Sequence, residues 1–341
     1  MSGDVSLEST RARSWVAPGL IVLSLVLVMS VSLTAGPQWF GFGELWHALW
    51  SPSPTNVDDL LIRTTRLPRT LLAAVVGASL GVAGGIMQTL TRNPLAAPGL
   101  LGVNAGALFA VVALATMGGG LPAAVANLGA FVGAALAVAL VWSLAMRRGP
   151  TAGPLRLLLA GAALTALFHA FSQALLVVDQ QGLDSVLFWL AGSVAGRPLT
   201  DTWPMLILAL VALLACVPWL RQWNVLAAGE AVAVGAGVSV RRLQLASITL
   251  IVLLAGASVS MAGNIAFVGL IVPHIARRLA TPDHRHWLPL AALIGAVLLL
   301  CADIAARTLI PPGEVPLGVM TALVGAPFFM LLVRRQGVRH G

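Results

Sequence analysis

Residues 66–106, RLPRTLLAAVVGASLGVAGGIMQTLTRNPLAAPGLLGVNAG, decide the fold. Arg66 and Arg69 flank a Leu-Pro pair and lead into a Gly/Ala-rich apolar run. The run breaks at Asn93-Pro94 and again at Pro98-Gly99, and a second apolar run follows. Apolar runs of this length read as membrane helices, and the breaks read as irregular backbone between two of them. A bilayer tolerates such backbone only against protein or a water-filled cavity. Asn93, Pro94, Pro98 and Gly99 are therefore candidate lining of an internal path. Pro273, inside a later apolar run, is a further candidate break, because proline withholds a helix N–H.

The rest of the chain repeats the pattern. Hydrophobic residues make up 58% and charged residues 9%, where soluble domains carry roughly 25% charge. Such a chain is an all-α polytopic membrane protein. Apolar runs place ten helices at 16–35, 70–90, 99–117, 122–146, 155–178, 202–220, 242–262, 265–281, 287–306 and 316–333. The first run is too long for a signal peptide core and reads as a retained helix. The whole of 1–341 forms one membrane domain, with tails at 1–15 and 334–341. Residues 184–196 read as a short helix at the outer surface, and the Trp-rich residues 36–62 as a peripheral outer segment.

All twenty basic residues are arginine. Without lysine there is no P-loop of the chain's own and no Schiff base. The arginines cluster between apolar runs, which is a topology signal rather than a nucleic-acid signal. Fifteen of them fall on one side when both termini are inside, which sets that orientation. Of the twelve acids only Asp303 lies within a helix, so the chain lacks the buried relay of an ion-coupled carrier. Cys216 and Cys301 have no metal or disulfide spacing, and His274 has no second ligand at useful spacing. Neither a metal, a cofactor nor a catalytic cluster is expected.

GASLGVAGG at 77–85 returns as GASVSMAGN at 256–264. On this topology the two copies run in opposite directions, as in an inverted repeat of two five-helix halves.

Residues 66–106, 225–242, 263–285 and 302–329 together resemble the FecCD-type permeases, the membrane subunits of ABC importers for iron–siderophores, haem and cobalamin. The resemblance covers roughly 60–335 and implies ten helices in two pseudo-symmetric halves. It implies a dimer of permeases (homo- or heterodimer), two ABC ATPase subunits beneath it, and a periplasmic or lipid-anchored substrate-binding protein, in a bacterial cytoplasmic membrane. The loop within 221–242 would form two short coupling helices that dock into the ATPase, with Gly229, Glu230, Gly235 and Gly237 at matching positions. Arg66, Arg69 and Arg307, against the positive-inside trend, would receive acids of the binding protein. A ferric siderophore or similar chelate is the expected cargo, with haem or cobalamin the alternative and an ion-coupled secondary transporter the rival class. On this reading the chain is not an enzyme.

Overall fold

The computed structural model describes residues 4–36, 38–53, 55–118, 122–146, 154–178, 189–310 and 313–337. Among these the chain is built of helices, with no strand. The long ones are α1 (Asp4–Thr34), α4 (Leu67–Thr91), α5 (Val103–Gly118), α6 (Ala123–Met146), α7 (Pro154–Val178), α8 (Leu199–Ala215), α11 (Val240–Ala262), α12 (Val268–Leu279), α13 (His284–Thr308) and α14 (Leu317–Gly337). Short helices α2 (Phe42–Trp50) and α3 (Val57–Leu61) precede α4, and α9 (Leu220–Ala227) and α10 (Glu230–Gly235) lie between α8 and α11.

These ten long helices fall where the ten apolar runs lie. Six helical stretches have the length and composition to cross a membrane, and three more are apolar but shorter. α12, with 12 residues, rises only about 18 Å and cannot span alone. It starts part-way through the bundle, which is what a broken helix does. The boundary between the runs 99–117 and 122–146 lies largely outside the described residues.

α4 and α11 form the centre. Their apolar windows are 78% and 72% buried, against 17% for α7 and 28% for the α8 stretch. Both copies of the repeated Gly-Ala-Ser segment lie in these two central helices. Backbone approaches backbone there: Gly77 meets the carbonyl of Gly295 in α13, and Gly84 meets that of Gly269 in α12, leaving no room for a Cβ. Small residues permit such crossings when lipid supplies no hydrophobic drive between helices.

α4 is longer than its apolar run suggests. A π turn, Ile62–Arg66, joins α3 to α4, so the helical stretch is continuous over Val57–Thr91. Pro68 at the second position of α4 has no N–H to give, and the wider turn absorbs that loss. Beside it, α2 packs Leu45 and Ala48 against Phe40 and Ile62. Its other face shows Phe42, Trp46 and Trp50 to the surroundings. Trp46 and Trp50 stack at 4.4 Å.

Residues 189–196 differ from their surface reading. Trp189 and Val194 are buried, and Ser193 N donates to the Ala262 carbonyl at 2.9 Å. The segment is packed into the end of the bundle beside the α11–α12 break. Residues 184–188 lie outside the described residues.

Candidate functional site

Three polar regions stand out in this apolar fold. The first lies at the end where α4 begins and α13 finishes. Arg69 Nε donates to both Asp303 oxygens, at 2.8 and 3.0 Å, and Arg69 Nη1 to both Glu314 oxygens at 2.9 Å. Arg307 Nη2 stands 3.6 Å from Asp303 and donates to the Ser32 carbonyl and hydroxyl at 2.9 and 2.8 Å. Ser32 in turn bonds Thr70 at 2.7 Å. Arg66 donates to the carbonyls of Ala35 and Gln38 and lies over the Phe40 ring.

Arg66, Arg69 and Arg307 are 4, 7 and 3% exposed. They were expected to meet an acidic partner directly, but their guanidinium groups are turned inward and engaged within the chain. A charge at an apolar helix end must be paired or solvated, and here the cluster pairs it. Glu314, with 38% of its side chain exposed, is the member that reaches the surface.

The second region is the pair of helix breaks. α4 ends at Arg92 in the left-handed region, φ 49°. Asn93 Oδ1 then accepts from Leu95 N at 2.9 Å, an Asx turn. A 3₁₀ turn, Pro98–Leu101, and Gly102 at φ 77° lead into α5. The other break, between α11 and α12, holds Phe267 at φ 64°, a conformation that costs a bulky side chain about 1–3 kcal/mol. The breaks meet. Asn104 Nδ2 donates to Asn264 Oδ1 at 2.6 Å, and a cavity of about 340 Å³ opens between them, lined by Leu80, Pro98, Gly99, Asn104, Ile265 and Phe267.

Pro98 and Gly99 line this cavity. Asn93 and Pro94 instead shape the turn that leads to it. Pro273 does not break its helix: α12 runs through it from Val268 to Leu279. Its missing N–H leaves the Gly269 carbonyl without that intrahelical donor, and Gly84 of α4 lies against this carbonyl. His274 stands edge-on to Phe328, and His169 is on the exposed face of α7.

The third region is the knob of α9 and α10, at the opposite end from the arginine cluster. Gly229 caps α10 at φ 130°, a backbone that side chains rarely adopt. Gly237 closes it at φ 78°. Gly237 N donates to the Val234 carbonyl and Val238 N to the Ala233 carbonyl, at 3.0 and 2.9 Å, a Schellman motif. Gly235 is the last residue of the helix and Glu230 the first. The Glu230 carboxylate accepts from Gln244 at 3.3 Å. Val232 and Val234 are 52 and 65% exposed at the tip.

The knob is rooted through groups that sequence reading missed. Trp223 Nε1 donates to Ser247 Oγ of α11 at 2.8 Å. Asn224 Oδ1 accepts from His284 N and Nδ1 at 2.8 and 2.6 Å, and His284 Nε2 meets the Thr89 hydroxyl at 2.8 Å. Asp283 caps α13, accepting from Arg285 N at 2.8 Å. Burial alone would raise its carboxyl pKa, but the Arg285 N–H, the Asn224 amide and nearby cations outweigh it and hold the group below its usual value. Asn224 and His284 sit in polar, charge-bearing ends of the sequence pattern, where nothing local distinguishes a buried pair from solvated residues.

The family model of the FecCD transport family matches residues 23–335. The chain belongs to that family. It is 41% identical over 326 residues to the probable siderophore transport system permease protein YfiZ of Bacillus subtilis (strain 168), covering 95% of this chain and 97% of that one. It is 40% identical over 325 residues to the hemin transport system permease protein HmuU of Yersinia pestis, covering 94% and 96%. A solved structure of an inward-facing transporter assigned to the metal-chelate ABC type superposes with a TM-score of 0.81 at 30% identity, covering 94% of this chain and 99% of that one. This FecCD chain is thus a multi-pass membrane permease rather than an enzyme.

Proposed function

We propose that the chain is the permease subunit of a binding-protein-dependent ABC importer that carries a ferric siderophore or similar metal chelate into the cytoplasm. The knob is the observation that carries this. A two-helix projection with an exposed valine tip, bracketed by two glycines and rooted in the central helices, suits a socket in a separate motor. Because the chain has no lysine it has no Walker A loop of its own, and the motor must be another subunit. Glu230, at the knob's edge, is placed to pair with a cation of that motor.

The assembly follows from the same reading. Two ATPase subunits would seat on the knobs of two permeases, whose contact would draw on the sparsely buried α7 and on α14, beside the cavity. The arginine side would face outward, in keeping with termini inside a bacterial cytoplasmic membrane. There a substrate-binding protein would meet the surface that Glu314 shapes, with the three arginines positioning that surface from beneath. The repeated segments of α4 and α11 would belong to inverted halves that rock about the cavity. A siderophore relative and a hemin relative are almost equally similar, so haem or cobalamin is the alternative cargo.

Uptake by purified transporter in vesicles, with its ATPase and binding protein, across ferric siderophores, haem and cobalamin is the direct test. Val232→Asp is expected to release the ATPase, and Glu230→Arg to leave the protein inserted but uncoupled. Uptake that survives without any ATPase and follows a proton or sodium gradient would refute the importer reading.

A further inference from the structure

We propose that Asn224, His284 and Thr89 form a positioning relay that carries displacement of the knob into the central helix α4. The inference rests on the reading of α9 and α10 as the motor-facing knob, and it concerns residues outside the knob's docking tip.

α9 (Leu220–Ala227) follows α8 without a gap, through the 3₁₀ turn Val217–Trp219. Beyond that turn its direction is fixed by the side chains that tie it to its neighbours. Asn224 leaves its apolar face, which buries Leu220, Trp223 and Leu226, and enters the first turn of α13. Its amide oxygen takes two donors from His284, and its amide nitrogen donates to Asp283. His284 is 4% exposed and Thr89 is 6% exposed, in the last turn of α4. A neutral imidazole with its proton on Nδ1 donates to Asn224 and takes the Thr89 hydroxyl proton at Nε2, which competes for it with the Gly85 carbonyl 2.9 Å from the same hydroxyl. A buried chain of hydrogen bonds is stiff, because bending it strands a polar group away from water. The imidazole therefore behaves as a strut between α9 and α4.

A second tie runs beside the first. Arg277 of α12 lies 4.3 Å from the Trp287 ring of α13 and donates to Gln88 of α4 at 2.7 Å. His284 itself packs on Trp287. The lower ends of α4, α12 and α13 are thereby joined at one place, and α9 enters that joint through Asn224. α4 leads from the joint to the Leu80 wall of the cavity. Displacement of the knob would then move α4 as a unit instead of being absorbed in the loop.

The complete importer in proteoliposomes, this chain with its ATPase and binding protein, tests the relay. Thr89→Val keeps the side-chain volume and removes the hydroxyl, and Asn224→Ala removes the other end. Both are expected to retain ATPase and its hydrolysis stimulated by the binding protein to within about twofold. Substrate moved per ATP should fall roughly five- to tenfold, the scale of one lost buried hydrogen bond. Thr89→Ser and His284→Gln, which keep the donor and acceptor, should restore it. Unchanged substrate per ATP in Thr89→Val and Asn224→Ala, with Val232→Asp still releasing the ATPase, would overturn the relay and leave the knob reading standing. Loss of ATPase association or of folding in Thr89→Val would equally overturn it, since these residues would then serve assembly. If Val232→Asp kept the ATPase bound, the knob reading itself would fall, and the relay with it.

Discussion

Breaking the Arg69–Asp303 pair separates a docking role from a positioning role for the outer arginines. Asp303 is fully buried and Arg69 is 7% exposed, and they share two hydrogen bonds of 2.8 and 3.0 Å. Removing one partner strands a buried charge, which costs about 3–5 kcal/mol. Asp303→Leu leaves Arg69 with Glu314 alone and Arg307 with Ser32 alone, facing each other without the intervening carboxylate. Arg69→Met leaves Asp303 with Arg307 at 3.6 Å. The double variant removes one charge of each sign, so the cluster's net charge is unchanged. Replacement of a whole buried pair by apolar residues is near neutral, within about 1–2 kcal/mol. Each single variant should therefore be strongly destabilised and the double largely restored. Midpoints follow from heating in a Cys301→Ala background and reading the reaction of a thiol dye with Cys216, which is 4% exposed in the fold. The single variants should drop by on the order of 10 °C and the double by a few degrees. A double as unstable as the singles would refute the pairing argument. A stable double that lost more than about tenfold in binding-protein affinity would show that Arg69 touches the partner after all. An exposed pair contributes only about 0.2–1 kcal/mol, so the two roles differ enough to be distinguished.

Two further outcomes bear on the packing. Gly84→Ala places a methyl against the Gly269 backbone and should cost about 1–3 kcal/mol or block assembly, whereas Gly19→Ala, with open space around it, should leave the thermal midpoint unchanged. Asp283→Ala should cost about 1 kcal/mol through the lost cap of α13. Its carboxyl is depressed in the folded state, so the cap's contribution is fully present above the ordinary carboxylate range and fades as pH falls through the folded value. A thermal midpoint whose acid limb is the same in Asp283→Ala as in the parent would contradict this.

How much was legible in the sequence follows from the range of the forces involved. Membrane residence, the positions of the ten apolar helices and the breaks at Asn93-Pro94 and Pro98-Gly99 all depend on short stretches. A bilayer enforces them residue by residue, since each apolar run must satisfy its own backbone. The two-helix knob, with Gly229 and Gly237, rests on the family resemblance, and the sequence places the break at Phe267 instead at Pro273. The fate of the arginines was not local. Arg69 and Asp303 stand 234 residues apart, and the run RLPR reads the same whether its side chains snorkel outward or fold into a cluster. Pro273 could break a helix or merely free a carbonyl, and the approach of Gly84 to Gly269 decided which. Asn104 with Asn264, and His284 between Asn224 and Thr89, exist only once separate helices have packed. Sequence thus determined which segments are helical and where they cannot be. Tertiary structure alone determined which polar groups meet, because in an apolar medium a hydrogen-bonding group takes whichever partner the packing brings within about 3 Å.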